Sequence, residues 1–163
     1  MHNCILDLKG KCMELCIKHF NELTASELYD ILKLRNSVFV VEQTCPFHEI
    51  DVRDKEAYHV YLRDRDGIQA YLRVMDRGVA FEDVAIGRVL AVKRRCGLAT
   101  KILEEGIQVA KEKFQADKIV LQAECYARSL YEKLGFCQTS EEFLEDDIPF
   151  IQMQLDLALE IAC

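Results

Sequence analysis

Hydrophobic positions follow two different periods along this chain. In the first half they form short runs, which predict strands at residues 13–20, 57–63, 68–75 and 84–92. An Asp-Arg-Asp-Gly turn sequence occupies residues 64–67, and Gly78 marks a turn before the last of these runs. The last three strands are therefore expected to form an antiparallel meander.

A helix is predicted between the first two strands. Thr24 and Glu27 have the spacing of a capping box, so the helix is expected to start at Ala25. It should end before Pro46, because the residue that precedes a proline disfavours the helical conformation. The following residues, 45–56, carry mixed charge with no period and are expected to form a loop.

The pattern changes to a helical period in the second half. Apolar residues recur every three or four positions over residues 98–114, which predicts a long amphipathic helix. A strand at 118–123, a short helix at 127–134 that Gly135 ends, and a strand at 149–157 are expected to follow. The order predicts an α+β fold with a mixed sheet, antiparallel at first and continued by a β-α-β crossover.

Composition restricts the class of protein. The length of 163 residues predicts one domain spanning the chain, with a poorly patterned N-terminal extension at residues 1–12. The chain has 28 acidic and 21 basic side chains and a net charge of −7, which argues against a nucleic-acid partner. No apolar run approaches the roughly 18 residues of a membrane helix, and the N-terminus lacks a secretory signal. A cytoplasmic protein without a membrane partner is expected.

Cysteine is frequent, but its spacing is not that of a metal site. Eight cysteines occur, without a C-x-x-C pair or a histidine pair at zinc spacing, so no metal is predicted. The expectation is that these thiols are reduced and mostly buried.

Three consecutive cations, Lys93, Arg94 and Arg95, stand where the long helix is predicted to begin. The free amides of a first helical turn form an anion site, and the small residues Gly97 and Ala99 allow a phosphate to approach closely. The segment has neither a Walker sequence nor G-x-G-x-x-G, so another pyrophosphate ester is predicted as its ligand. The alternative is a solvated basic turn that caps the helix.

Two sequence motifs resemble those of a known family. R-x-x-G-x-A at residues 94–99 and A-x-x-x-Y-x-x-x-G-F at residues 127–136 look like the acetyl-CoA signature of the GNAT N-acetyltransferases. The similarity covers roughly residues 20–156. Six further segments resemble the ElaA-like subgroup of this family: residues 34–35, 38–43, 45–46, 50–51, 86–89 and 148–149. The resemblance implies a GNAT (acyl-CoA N-acyltransferase) fold, a mixed central sheet flanked by helices.

The resemblance also implies a reaction and its residues. An amine would attack the thioester of acetyl-CoA directly in a ternary complex, and Tyr131 would protonate the leaving thiolate. The alternative for Tyr131 is a half-buried structural aromatic. The implied cofactor contacts come from the strand residues Leu90, Ala91 and Val92, from the loop and helix residues Arg94, Arg95, Cys96, Gly97, Leu98, Ala99 and Thr100, and from Glu124 and Tyr131.

Some residues depart from the family pattern. Residues 84–92 contain no carboxylate that could deprotonate the amine. Glu42, His59 and Glu124 are candidates to line the site, with a solvated or structural role as the alternative. Glu124 stands where many relatives have asparagine, and Phe150 stands where ElaA-like chains often have histidine.

The remaining candidates each have two interpretations. Arg73 and Arg88 are predicted either to contact an acidic group of the substrate or to form buried salt bridges. Cys96 is either a reactive thiol at a helix N-terminus or a small residue that a tight loop tolerates. The acidic segment at residues 141–147 is either a solvated loop or an attractant for a cationic amine.

Two functions remain open at this point. The first is an acetyl-CoA-dependent N-acetyltransferase, with acetyl-CoA and a primary amine of a small molecule or peptide as its partners and a homodimer among the open assemblies. The second is a non-catalytic acyl-CoA-binding sensor, which needs no acid or base and which the missing strand carboxylate favours.

Overall fold

A single mixed sheet organises the protein. The computed structural model describes residues 3–42 and 48–158, and these residues contain nine paired strands. The strands are β1 (Cys4–Leu6), β2 (Cys12–His19), β3 (Ala57–Asp64), β4 (Gly67–Met75), β5 (Val84–Ala91), β6 (Lys118–Glu124), β7 (Cys137–Gln138), β8 (Phe143–Glu145) and β9 (Ile148–Asp156). Their order across the sheet is β1-β2-β3-β4-β5-β6-β9-β7, and β8 pairs with β9.

Helices connect and cover these strands. They are α1 (Ala25–Arg35), α2 (Leu98–Phe114) and α3 (Arg128–Glu132), a π-helix (Asn36–Glu42) that continues α1, and 3₁₀-helices at Phe20–Glu22, Val52–Glu56 and Cys125–Ala127. No helix within residues 3–42 and 48–158 is both long enough and apolar enough to cross a bilayer.

The capping box at α1 forms as predicted. Thr24 Oγ1 accepts a hydrogen bond from the Glu27 amide at 3.1 Å, and the Glu27 carboxylate accepts one from the Thr24 amide at 2.8 Å. These bonds satisfy backbone donors that the first turn leaves open, so the start at Ala25 is confirmed. Pro46, before which the helix was expected to end, lies outside the described residues.

The meander and the crossover are also confirmed. β3, β4 and β5 pair in antiparallel order, and α2 connects β5 to its parallel neighbour β6. α2 spans the predicted residues and buries Ile102, Leu103 and Val109 in the main core. Gly106 lets the helix approach the sheet closely, because a Cβ there would lie 2.7 Å from Cδ2 of Leu72.

β5 and β6 separate soon after they meet. Only two register pairs join them, Val84–Ile119 and Ala85–Val120. Beyond Ala85, the side of β5 that faces β6 has no strand partner among the described residues. The central sheet therefore opens into a cleft between these two strands.

A β-bulge in β5 lies at the start of this cleft. The register with β4 shifts by one residue between the pairs Arg73–Gly87 and Tyr71–Leu90. Arg88, within the shift, has a φ of 54°, a left-handed conformation that costs a non-glycine residue about 1 kcal/mol or more. Such a bulge bends its strand, which is consistent with β5 turning away from β6.

Four expectations about local structure need correction. The N-terminal extension contains β1, which pairs with β2. The expected loop at residues 45–56 contains a 3₁₀-helix at Val52–Glu56, and the acidic segment at residues 141–147 contains β8. The helix expected at residues 127–134 is a 3₁₀-helix followed by the short α3. Periodicity does not detect elements of three to five residues, because they complete barely one repeat of their pattern.

The expectation of reduced, mostly buried thiols is wrong in two respects. Cys4 and Cys12 form a disulfide, because the β1–β2 pairing brings their Cα atoms within 5.8 Å. Of the free cysteines within the described residues, Cys16 alone is buried, and Cys137 is exposed.

Candidate functional site

The turn from β5 into α2 has the geometry of an anion site. Gly97, the residue before the helix, adopts the left-handed conformation with φ 72° and supplies no side-chain cap. Arg95 is also left-handed, with φ 57°. The first amides of α2 at Leu98, Ala99 and Thr100 therefore have no capping side chain, and they carry the positive end of the helix dipole.

The charges around this turn have the sign that an anionic ligand requires. The side chains of Lys93, Arg94 and Arg95 are exposed beside the helix end, whereas Cys96 is half-buried and donates to the Arg94 carbonyl at 3.4 Å. Cations next to open amides fit a pyrophosphate group. The residues predicted for the phosphates of an acyl-CoA are thus brought together at one end of α2.

The end of β5 offers fewer donors than expected. The Val92 amide donates to the Gln69 carbonyl at 2.9 Å, so the expected role of Val92 as a ligand donor does not hold. In an antiparallel ladder, successive residues direct their amides to opposite sides. The amide of Leu90, like that of Val92, therefore points towards β4, and the amide of Ala91 points towards the cleft. Ala91 is therefore the strand residue best placed to bind a pantetheine arm or an acyl carbonyl.

Tyr131 follows the other strand that borders the cleft. It belongs to α3, which follows β6, and its side chain is 7% exposed and packs edge-on against Phe136 at 5.9 Å. Burial, together with nearby Tyr126 and Glu124, raises the pKa of the Tyr131 hydroxyl well above its usual range. A tyrosine with an ordinary pKa is also protonated at neutral pH, so this state fits both a proton donor and a buried structural aromatic. Glu124 ends β6 opposite Phe150 of β9.

A buried ionic network lies between α1 and the sheet. Three arginines and three carboxylates form it, and we refer to them as the arginine–carboxylate cluster: Arg35, Arg73, Arg88, Glu49, Asp51 and Asp54. Their formal charges cancel. Their residues come from α1, β4, β5 and the segment that leads into β3, so the cluster joins four parts of the chain.

Arg73 occupies the centre of the cluster. Its guanidinium donates to Asp51 at 2.7 and 3.0 Å and to Asp54 at 2.8 Å, and its side chain is 2% exposed. Burial alone would raise the pKa of Asp54, but hydrogen bonds and charges from Arg35 and Arg73 outweigh it and hold the pKa below its usual value. Of the two interpretations of Arg73, the geometry favours the buried salt bridge.

Arg88 connects the bulge in β5 to the same cluster. Its Nε lies 2.6 Å from Oε1 of Glu49, and its Nη2 donates to the Glu49 carbonyl at 3.0 Å. Glu49 is 4% exposed, and it also accepts from Nε of Arg35 at 3.0 Å. Glu49 is thus a buried carboxylate joined to β5 through Arg88, and sequence patterns do not reveal this contact because Glu49 belongs to a distant segment.

His59 is also part of this buried region. Its Nε2 lies 2.9 Å from the Asp54 carbonyl, and its Nδ1 lies 2.7 Å from the Tyr71 hydroxyl. Since a carbonyl can only accept, Nε2 carries the hydrogen and Nδ1 accepts from Tyr71. Both ring nitrogens have partners and the side chain is fully buried, which favours the structural role of His59 over substrate contact. The side chain of Glu42, the other candidate, lies outside the described residues.

The burial of His59 predicts a loss of stability in mild acid. Burial and the charges of Arg35 and Arg73 lower its pKa, against the opposing effect of Asp54. Below its ordinary value of 6.5, the unfolded chain therefore binds a proton that the folded chain does not. We expect the free energy of unfolding to fall between pH 7 and pH 5.5, by at most about 1.4 kcal/mol per pH unit from this group.

Urea unfolding at a series of pH values measures this effect. His59→Gln, which does not titrate, provides the comparison and should show a flatter profile over the same interval. Asp51 and Asp54 have lowered pKa values and contribute only at lower pH. Identical slopes for the two proteins between pH 7 and pH 5.5 would contradict the prediction.

Comparison with known proteins agrees with the fold. Residues 30–157 match the model of the GNAT acetyltransferase domain. The UPF0039 protein C11D3.02c of Schizosaccharomyces pombe is 38% identical over 149 residues, which cover 89% of this chain and 98% of that protein. Protein ElaA of Escherichia coli is 32% identical over 139 residues, covering 83% and 91%.

Solved structures give the same result. The crystal structure of an acyl-CoA N-acyltransferase from Pseudomonas aeruginosa has a TM-score of 0.83 and 35% identity, over 88% of this chain and 99% of that one. The crystal structure of E. coli ElaA also has a TM-score of 0.83, with 30% identity over the same shares. This chain therefore belongs to the GNAT family and has the acyltransferase domain and fold of its ElaA-like relatives.

Proposed function

We propose that this protein is an acetyl-CoA-dependent N-acetyltransferase that transfers the acetyl group directly to a primary amine. The observation that carries the proposal is the cleft between β5 and β6. The open N-terminus of α2 follows one strand of the cleft, and the protonated, buried Tyr131 follows the other. An anion site and a proton donor on opposite sides of one cleft fit a thioester of CoA.

The residues present fit acyl-CoA as the donor substrate. The amides at the start of α2 and the cations of residues 93–95 would hold its pyrophosphate. The cleft-facing amide of Ala91 would donate to the pantetheine arm or to the acyl carbonyl. Glu124 and Tyr131, near the end of β6, would line the opposite side.

The proposed reaction has one bond-forming step. The neutral amine nitrogen attacks the thioester carbon, the C–N bond forms, and the C–S bond breaks as the tetrahedral intermediate collapses. Tyr131 gives its proton to the departing sulfur, and the amine loses a proton to solvent or to a base. Glu49 is a buried carboxylate joined to β5 through Arg88, whose Nε lies 2.6 Å from its Oε1.

Arg88, at the bulge in β5, is the residue that we assign to the acceptor. Its side chain is 22% exposed, unlike that of Arg73, so it can still meet an acidic group of the acceptor. The proposal includes a cytoplasmic location, acetyl-CoA and an amine as partners, and no nucleic-acid or membrane partner.

Thiol release from acetyl-CoA tests this function. The purified protein is incubated with acetyl-CoA and a panel of primary amines and peptide N-termini, and free CoA is measured with a thiol reagent. We expect release that depends on at least one amine and saturates with it, and the acetylated product should be identifiable by mass. Tight CoA binding without turnover on any acceptor would support the acyl-CoA sensor instead.

A further inference from the structure

The hairpin formed by β1, β2 and the connecting residues 7–11 has a well-defined tip. Oδ1 of Asp7 accepts hydrogen bonds from the amides of Lys9 at 2.9 Å and Lys11 at 2.7 Å. Nζ of Lys11 lies 2.6 Å from Oδ2 of Asp64, the last residue of β3. Hydrogen bonds to Asp7 thus fix the conformation of the tip, and the ion pair between Lys11 and Asp64 joins the tip to the sheet. We call this element the N-terminal hairpin.

The N-terminal hairpin extends to the anion site. Leu8 packs over Gly97, where a Cβ would lie only 2.9 Å from Cδ1 of Leu8. The N-terminal hairpin precedes residues 30–157, which match the GNAT domain. An element outside the matched domain therefore forms part of the surroundings of the α2 N-terminus.

A cavity of about 110 Å³ lies between the hairpin tip and the turn into α2. Its walls include Lys9 on one side and Lys93 and Arg95 on the other, with Lys11 and Asp64 paired between them. Asp7 is the other carboxylate of the wall, so the cationic side chains outnumber the acidic ones. One water molecule needs roughly 10–15 Å³ of such space, so the cavity can hold a group of several heavy atoms.

The chemistry of the proposed donor supplies such a group. CoA carries a pyrophosphate and, separately, a phosphate on the 3′-oxygen of its ribose. The α2 amides can bind one of these anions, and the neighbouring cavity presents the exposed cations Lys9, Lys93 and Arg95 to the other. This proposal rests on the proposed function: we propose that the cavity between the N-terminal hairpin and residues 93–98 binds the 3′-phosphate of CoA. Lys9 is the cation that only this phosphate uses, and Lys93 and Arg95 are shared with the pyrophosphate.

Calorimetric titration with CoA and with 3′-dephospho-CoA tests the proposal, because the two ligands differ only in this phosphate. We expect the wild-type protein to bind CoA about tenfold more tightly, as a charge-assisted contact of about 1.4 kcal/mol provides. Lys9→Gln should reduce that preference severalfold and leave the affinity for 3′-dephospho-CoA unchanged. Lys33→Gln, which removes an exposed lysine from α1, is the matched control and should leave both affinities unchanged.

The outcomes separate this proposal from the proposed function. Equal affinities for the two ligands in the wild-type protein would overturn the 3′-phosphate site and leave the donor site intact. Tighter CoA binding by Lys9→Gln would also overturn it, since the hairpin would then obstruct the ligand. If neither ligand binds, both the proposed function and this site fail.

Discussion

Replacing Tyr131 by phenylalanine is expected to slow acetyl-CoA turnover by about a hundredfold or more while CoA binding changes little. A positioned general acid contributes roughly 10² to 10⁴ in rate, and this variant removes only the hydroxyl. The ring remains, so its packing against Phe136 at 5.9 Å and the fold should be retained. The loss should appear in kcat, because the proton reaches the sulfur only as the C–S bond breaks.

Tyr126→Phe is the matched control for this experiment. Tyr126 lies five positions before Tyr131 but is 76% exposed, so the same chemical change should leave turnover near the wild-type level. Thiol release with an amine identified in the acceptor screen gives the rates, and CoA titration gives the affinities. If Tyr131→Phe turns over at the wild-type rate, Tyr131 is not the general acid and its role is to pack against Phe136.

The elements that the sequence predicts well are those with a complete local pattern. α2 has more than four turns of helical periodicity, and this pattern stops where the helix stops. Both ends of α2 are therefore predicted correctly. α1 has a capping box that forms as expected. The meander follows from runs of apolar residues separated by turns. In each case the determining residues are close together in the chain.

The cleft could not be predicted in this way. It depends on a bulge at Arg88 and on the absence of pairing between β5 and β6 beyond Ala85. Strand pairing is set by contacts between distant segments, and a period-two pattern is the same whether a strand is paired or open. Family resemblance identified the strand and the loop, whereas the occupied amide of Val92 became apparent only in three dimensions.

The carboxylate partners in the arginine–carboxylate cluster could not be predicted for a related reason, although buried salt bridges were one of the two interpretations of Arg73 and Arg88. Arg73 stands in a strongly apolar run, which indicates that it needs a buried partner, but its partners are about twenty residues away. Asp51 and Asp54 lie in a segment of mixed charge that resembles a solvated loop. The neighbouring sequence thus shows that a charged residue at position 73 is unusual. It does not show whether the partner of Arg73 is a substrate or a carboxylate of the protein.

Replacing Arg73 by methionine is expected to lower the free energy of unfolding by about 3 to 5 kcal/mol, because it leaves Asp51 and Asp54 short of a buried partner. For a chain of this size the midpoint of thermal unfolding should fall by roughly 6–20 °C. Calorimetry and urea unfolding measure the two quantities.

Arg128→Met is the control for Arg73→Met, since Arg128 pairs with Glu132 at 2.6 Å but both side chains are about half exposed. An exposed pair of this kind contributes about 0–1 kcal/mol, so the same substitution should be nearly neutral there. A second comparison isolates the ion pair from packing. Asp51→Asn should cost much less in the Arg73→Met background than in the wild-type protein, because the partner that makes its shortest contacts is already absent and Arg88, at 3.6 Å, is the only ion-pair partner that remains within the described residues. Equal costs in the two backgrounds would mean that Arg73 stabilises the fold through packing rather than through its bonds to Asp51.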